Sequence, residues 1–231
     1  IEDNDRIGLV GINGCGKSTL LRIITGKEEY ESQPEPNVPH LAITRASTVG
    51  FLEQNSGLDR SSKVMDEMMS VFSELLAVQD ELRRLEAEME RPEIHENEKH
   101  FNEISAEYAH KTAYFEANEG YLINVKIKTV LNGMGFPPET YDRVISTLSG
   151  GEKTRLAMAK LLLESPRLLI LDEPTNHLDF DTIMWLEDYL QDYKGALLIV
   201  SHDRYFLDKL CTSICEIEHT HLRRWKGNYT K

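Results

Sequence analysis

Three continuous apolar runs, Ile7-Gly8-Leu9-Val10, Leu168-Leu169-Ile170-Leu171 and Ala196-Leu197-Leu198-Ile199-Val200, punctuate a chain whose other apolar residues recur mostly every three or four positions. Unbroken runs of four or five are what strands covered on both faces require, so they predict the central strands of a parallel sheet. Helix-like spacing follows the first run at Leu20-Leu21-Arg22-Ile23-Ile24 and precedes the second from Lys153 to Leu163. The segment Gly26 to Pro39 is rich in Glu, Pro and Ser and reads as an exposed loop, and Leu41-Ala42-Ile43 and Val49-Gly50-Phe51-Leu52 alternate as two short strands. The pattern is that of an α/β domain.

From about Lys63 the period changes. Met68, Val71, Leu75, Val78, Leu82, Leu85 and Met89 recur at alternating steps of three and four, with Glu, Asp and Arg on the other faces, which predicts one long amphipathic helix. Pro92 is expected to stop it, and Phe101, Ile104, Tyr108 and Phe115 resume the spacing with Lys111 as an interruption. An antiparallel helical hairpin accounts for both halves; two helices lying flat on the main domain are the alternative. Tyr121 to Met134 reads as a further helix and Gly135-Phe136-Pro137-Pro138 as a turn.

Chemistry concentrates where these elements end. The first run leads into Gly11-Ile12-Asn13-Gly14-Cys15-Gly16-Lys17-Ser18-Thr19, a G-x-x-x-x-G-K-S spacing in which glycines turn successive N–H groups toward phosphate at the start of a helix. Lys17 is placed to reach the β- and γ-phosphates and Ser18 to ligate Mg²⁺. Asp172 and Glu173 close the second run, at the sheet edge where ligands bind; Asp172 is expected to take the metal and Glu173 the attacking water. His202 closes the third run; a lone histidine there is either structural or, at the top of a strand parallel to the acid-bearing one, a contact to a γ-phosphate. Gln54 is either a polar strand terminus or an amide that senses the metal and the water. Ser149 and Glu152 form a capping box, which leaves Gly150-Gly151 unexplained unless phosphate approaches that helix start as well.

Composition limits the rest. With 231 residues, 40% hydrophobic, the chain can bury a full core, and a net charge of −13 argues against a surface that is basic all over. Cys15, Cys211 and Cys215 make no C-x-x-C pair, so a reducing, cytoplasmic setting is expected, and no apolar run approaches the ~18 residues that span a bilayer. His219 and His221 lack the spaced partners of a zinc site, and Leu222-Arg223-Arg224-Trp225-Lys226 reads as a short basic and aromatic edge. The chain starts at Ile1 and enters the P-loop strand almost at once, so it is expected to be a piece of a longer protein.

In order, Gly11 to Thr19, Gln54, Leu148 to Glu152, Leu168 to Pro174, Asp179 and His202 resemble the Walker A loop, Q-loop, signature, Walker B strand, D-loop and switch histidine of ATP-binding cassette (ABC) ATPase domains. Pro174-Thr175-Asn176-His177-Leu178-Asp179, Ser201-His202-Asp203-Arg204-Tyr205-Phe206-Leu207-Asp208 and Gly227-Asn228-Tyr229 are similar to the ABC-F branch, soluble tandem-cassette translation factors, and the inserted hairpin is similar to the arm of their first cassette. The resemblance implies a P-loop NTPase fold with a mainly parallel central sheet, a small antiparallel β part, and a helical subdomain carrying an antiparallel coiled-coil arm. Residues 1–62 would form the first part of the P-loop core, 63–147 the helical subdomain with the arm at about 64–117, and 148–231 the signature helix and the rest of the core.

It further implies ATP and Mg²⁺ as ligands, with Gly11, Ile12, Asn13, Gly14, Cys15, Gly16, Lys17, Ser18 and Thr19 on the nucleotide. Ser18, Asp172 and Gln54 would serve the metal and Glu173, His202 and Gln54 catalysis. Ser149, Gly150, Gly151, Glu152 and Asp179 would act in trans on the ATP of a second cassette. The implied partners are that cassette and the ribosome with its rRNA and tRNA, with no insertion in a membrane. The implied role is ATP hydrolysis in translation quality control, rescue or antibiotic protection. An ATPase subunit of a membrane transporter is the first rival and a chromosome-maintenance or DNA-repair ATPase the second; the hairpin and Asn176-His177 weigh against the first, and the shortness of the hairpin against the second.

Overall fold

The computed structural model describes residues 1–29, 48–52, 57–95, 97–176, 178–218 and 221–230. The predicted strand Leu41-Ala42-Ile43 and the residues Gln54, His177 and His219 lie outside them. Six strands are described: β1 (Arg6–Gly11), β2 (Val49–Phe51), β3 (Leu168–Asp172), β4 (Ala196–Val200), β5 (Ser213–Glu218) and β6 (His221–Lys226). The helices are α1 (Lys17–Ile24), α2 (Val64–Ser70), α3 (Ser73–Met89), α4 (Pro92–His95), α5 (Glu98–Ala117), α6 (Ile123–Gly133), α7 (Gly150–Glu164), α8 (Phe180–Gln191) and α9 (Arg204–Leu210).

The strands form one sheet in the order β2-β3-β4-β1-β5-β6, parallel throughout except for the antiparallel pair β5 and β6. This is the α/β P-loop fold, mainly parallel with a small antiparallel part. All five residues of β4 are buried because helices cover both faces. Leu197 and Ile199 join the larger core with Leu156 and Leu162 of α7, Leu186 and Leu190 of α8 and Phe206 of α9. Leu198 and Val200 face a smaller core with Ile7, Leu9 and Leu21 of α1. Each such leucine, fully buried, stabilises the fold by about 2 kcal/mol.

The register of β4 places the functional edge. Val200 is level with both Leu9 of β1 and Asp172 of β3. Consequently the loop after β1, the acids after β3 and Ser201-His202 after β4 emerge side by side at the C-terminal end of the sheet.

The helical insertion holds one correction. The stripe from Met68 to Met89 does not run through one helix: the chain breaks at Val71-Phe72, whose N–H groups bond back three residues to the carbonyls of Met68 and Met69. Val64 and Met68 are fully buried in the larger core with α6 and α7, Val71, Phe72, Leu75 and Leu76 pack part-buried against the same core, and the buried Leu82 and Leu85 carry the stripe beyond it along α3. Beyond it α3 and α5 run antiparallel, as shown by the Tyr108 hydroxyl donating to Glu86 Oε1 at 2.7 Å and by the ion pair of Lys111 with the earlier Glu81. Ile104 and Phe115 are buried on the α5 side. Lys111, an interruption in the sequence pattern, bridges the two helices.

Candidate nucleotide site

The P-loop turns through Gly14 and Gly16 at φ +81° and +105°, left-handed values that glycine adopts without cost. A Cβ at either would meet nothing within 4 Å, so these glycines serve the turn and leave open space over it. Gly11 is held by proximity instead: a Cβ there would come within 2.7 Å of Cys15 Sγ and of the Ile217 carbonyl oxygen. Helix α1 begins after Gly16 with no side chain capping it, so its first amides keep donors for an anion. Lys17 folds over the loop, Nζ donating to the carbonyls of Gly11 at 2.8 Å and Ile12 at 3.2 Å.

Facing the loop, Ser18 Oγ donates to Asp172 Oδ2 at 3.3 Å, which brings a hydroxyl and a carboxylate together from opposite walls. Two hard oxygen donors in contact suit Mg²⁺. Glu173 has φ +49°, a left-handed conformation that costs a residue with a side chain about 1–3 kcal/mol and that its N–H bond to the Val200 carbonyl, at 2.8 Å, holds in place. The turn sends its carboxylate toward His202, whose backbone N–H donates to Oε2 at 3.3 Å and whose Nε2 lies 3.6 Å from Oε1. Glu173 Oε1 is buried without a hydrogen-bond partner, an acceptor of the kind that a bound water or metal-held water satisfies.

Six of the nine loop residues, Asn13, Gly14, Gly16, Lys17, Ser18 and Thr19, line one cleft of about 490 Å³ with Asp172, Glu173, Val200 and His202. Its size lies in the range of small-ligand sites. Gly11 and Ile12 line an adjoining cleft, and Cys15 turns into the smaller core. None of Ser149, Gly150, Gly151, Glu152 or Asp179 lines the nucleotide cleft.

At the second glycine-rich helix start the donors are used differently. Ser149 Oγ accepts from the Glu152 amide at 3.3 Å and Glu152 Oε2 accepts from the Ser149 amide at 2.7 Å, a complete capping box. It starts α7 at Gly150, three residues before the predicted Lys153, and the helix stops at Ser165, at φ +46°, before Pro166. Arg143 Nη1 donates to Glu152 Oε1 at 2.7 Å. The Ser149 backbone bond, helped by the Ser149 hydroxyl and the Arg143 guanidinium, holds the Glu152 carboxyl down at about 2 against the pull of burial. Asp179 caps α8 by accepting from the Thr182 amide at 2.9 Å, which keeps its carboxyl below the usual range. Sequence reasoning missed Arg143: a lone cation six residues before a capping box carries no spacing signal.

An uncapped helix after a glycine loop, a hydroxyl–carboxylate pair and an unsatisfied buried carboxylate oxygen at one sheet edge define a P-loop domain that binds nucleoside triphosphate with its metal. The chain belongs to the ABC transporter family, whose model matches residues 1–176, and is an ABC ATPase domain, a domain that binds ATP with Mg²⁺. YdiF of Bacillus subtilis (strain 168), named as an ATP-binding protein, is 48% identical over 230 residues, covering 100% of this chain and 34% of the relative. ABC transporter F family member 5 of Arabidopsis thaliana is 37% identical over 100% of this chain and 32% of its own length. The energy-dependent translational throttle protein EttA of Escherichia coli (strain K12) is 35% identical over 97% of this chain and 38% of its own length. The chain thus spans about a third of the curated relatives it matches. No described helix is long and apolar enough to cross a membrane.

Proposed function

We propose that this chain is the first cassette of a cytoplasmic ABC-F-type ATPase that acts on the ribosome in translation, with 1–62 and 148–231 as its P-loop core and 63–147 as its helical subdomain. Supporting the branch are the motif phrases around Asn176 and His202, the hairpin of α3 and α5, and the likeness to an F family member and to EttA. The likeness in length to only a third of those relatives fits a second cassette elsewhere in the full protein.

The observation that carries the chemistry is the meeting of Ser18 with Asp172 and of Glu173 with His202 at one cleft. Lys17 leaves its loop carbonyls for the β- and γ-phosphates, and the amides opening α1 take phosphate oxygens. Glu173 Oε1 accepts a proton from the water that attacks the γ-phosphorus as the bond to the β-phosphate oxygen breaks, giving ADP and phosphate, while His202 contacts the γ-phosphoryl group. Ser18 and Asp172, with Gln54, would hold Mg²⁺, which when bound would neutralise charge on the phosphates. Ser149, Gly150, Gly151, Glu152 and Asp179 serve the ATP of the other cassette.

Glu173→Gln keeps the shape and loses the charge. Hydrolysis is expected to fall by roughly 10²- to 10⁴-fold with ATP binding retained. Expressed with the equivalent change in the second cassette, the trapped protein should sediment with ribosomes; a trapped protein found only with membranes favours the transporter reading and overturns the translation reading.

A further inference from the structure

Beside the signature residues runs a segment with no role so far. Residues 141–146 lie antiparallel to residues 60–65, the root of the helical hairpin. The Val64 amide donates to the Arg143 carbonyl at 3.0 Å, the Met65 amide to Tyr141 at 3.0 Å, the Ile145 amide to Ser62 at 2.9 Å and the Ser146 amide to Arg60 at 2.9 Å. Lys63 Nζ meets Asp142 Oδ1 at 2.8 Å. The backbone of Arg143 is therefore fixed on both sides, and its guanidinium reaches forward to Glu152 Oε1 at 2.7 Å. Glu152 in turn holds the Ser149 amide with its other oxygen. Ser149 Oγ accepts from the Glu152 amide at 3.3 Å, so the side chains of Ser149 and Glu152 fix each other.

We propose that Arg143 is a positioning residue for the signature: through Glu152 it fixes the start of α7 so that the Ser149 hydroxyl and the Gly150-Gly151 backbone face phosphate of a nucleotide bound by another cassette. The inference rests on the shared-site reading above. Without Arg143 the Glu152 carboxylate loses one of its two anchors and swings toward water, and the Ser149 amide and hydroxyl lose their common reference. Lys satisfies the single Nη1 contact and is expected to restore most of it, whereas Ala cannot.

Two measurements on the chain test this. Amide hydrogen exchange should be roughly three- to tenfold faster at Ser149 and Glu152 in Arg143→Ala, unchanged in the interior of α7, and near wild type in Arg143→Lys. Unchanged exchange at Ser149 overturns the proposal by itself. The second is ATP turnover at high concentration, where two copies can share their sites. Arg143→Ala alone should lose roughly 10- to 100-fold with unaltered ATP affinity. Mixed in equal amounts with Lys17→Ala, it should recover about a quarter of wild-type turnover, because random pairing makes half the pairs mixed and each mixed pair keeps one intact P-loop facing one intact signature.

Absence of recovery, with wild type active, means that Arg143 acts on its own P-loop and overturns the proposal. A wild-type chain inactive at every concentration counts against the self-paired shared site, and the exchange result then decides the role of Arg143.

Discussion

Two of the described helices start from glycine-rich turns, and they start differently. Helix α1 has no side-chain cap, and the opposite wall of its cleft carries the orphaned oxygen of Glu173. Helix α7 has a complete capping box, reinforced by Arg143. Unmet donors and acceptors cost stability in the absence of ligand and are available to one, so the first site can hold a nucleotide alone. The second is satisfied within itself and presents only its surface, namely the exposed Ser149 and Gly150 and the half-buried Gly151. It can contribute to a phosphate already held elsewhere, and it cannot replace the holder.

This contrast can be broken most sharply at Lys17. Lys17→Ala should weaken ATP binding about a hundredfold, since charge-assisted hydrogen bonds contribute about 1.5–3 kcal/mol each and no other lysine or arginine among the described residues lines the cleft. Calorimetric affinity equal to wild type would reject the P-loop assignment. Ser149→Ala should leave that affinity untouched in the isolated chain while lowering turnover of paired chains roughly tenfold or more, the scale of one lost donor to developing charge. An affinity loss in the isolated chain would show that the two helix starts share one cleft after all.

The smallest expected effect lies in the cap itself. Glu152→Gln should cost about 1 kcal/mol of stability near neutral pH, the usual scale of a lost helix cap. Its pH dependence has a definite sign. The folded carboxyl sits at about 2 against an ordinary 4.5, so its contribution is present above about pH 4.5 and is lost as the pH falls toward 2. In chemical denaturation the gap between the two proteins should therefore narrow from pH 7 to pH 3 without closing, and a constant gap would place the effect elsewhere than in the carboxylate.

What could be read from the sequence were features whose spacing is set by local chemistry. The P-loop, the Asp172-Glu173 pair and the capping box each occupy a few consecutive residues, and the structure places Lys17, Ser18, Asp172, Glu173 and His202 on one cleft. Strand order was not legible: nothing in Ala196 to Val200 says that it lies between β1 and β3, though that position is what aligns Gly11, Asp172 and Ser201. The break at Val71-Phe72 was hidden because the apolar stripe runs straight through it: Val71 and Leu75, on either side, pack against the same core. Lys111 and Arg143 were obscured for a related reason, since an ion pair across 30 residues or a contact to a cap leaves no periodic trace.

The account stands most directly on whether one copy of the chain suffices for catalysis. ATP turnover per chain, measured over a wide range of protein concentration with saturating ATP and Mg²⁺, is predicted to be near zero at high dilution and to rise with concentration, while the fraction of chain with ATP bound stays constant. Turnover per chain that is robust and independent of concentration down to the most dilute sample would contradict the shared site.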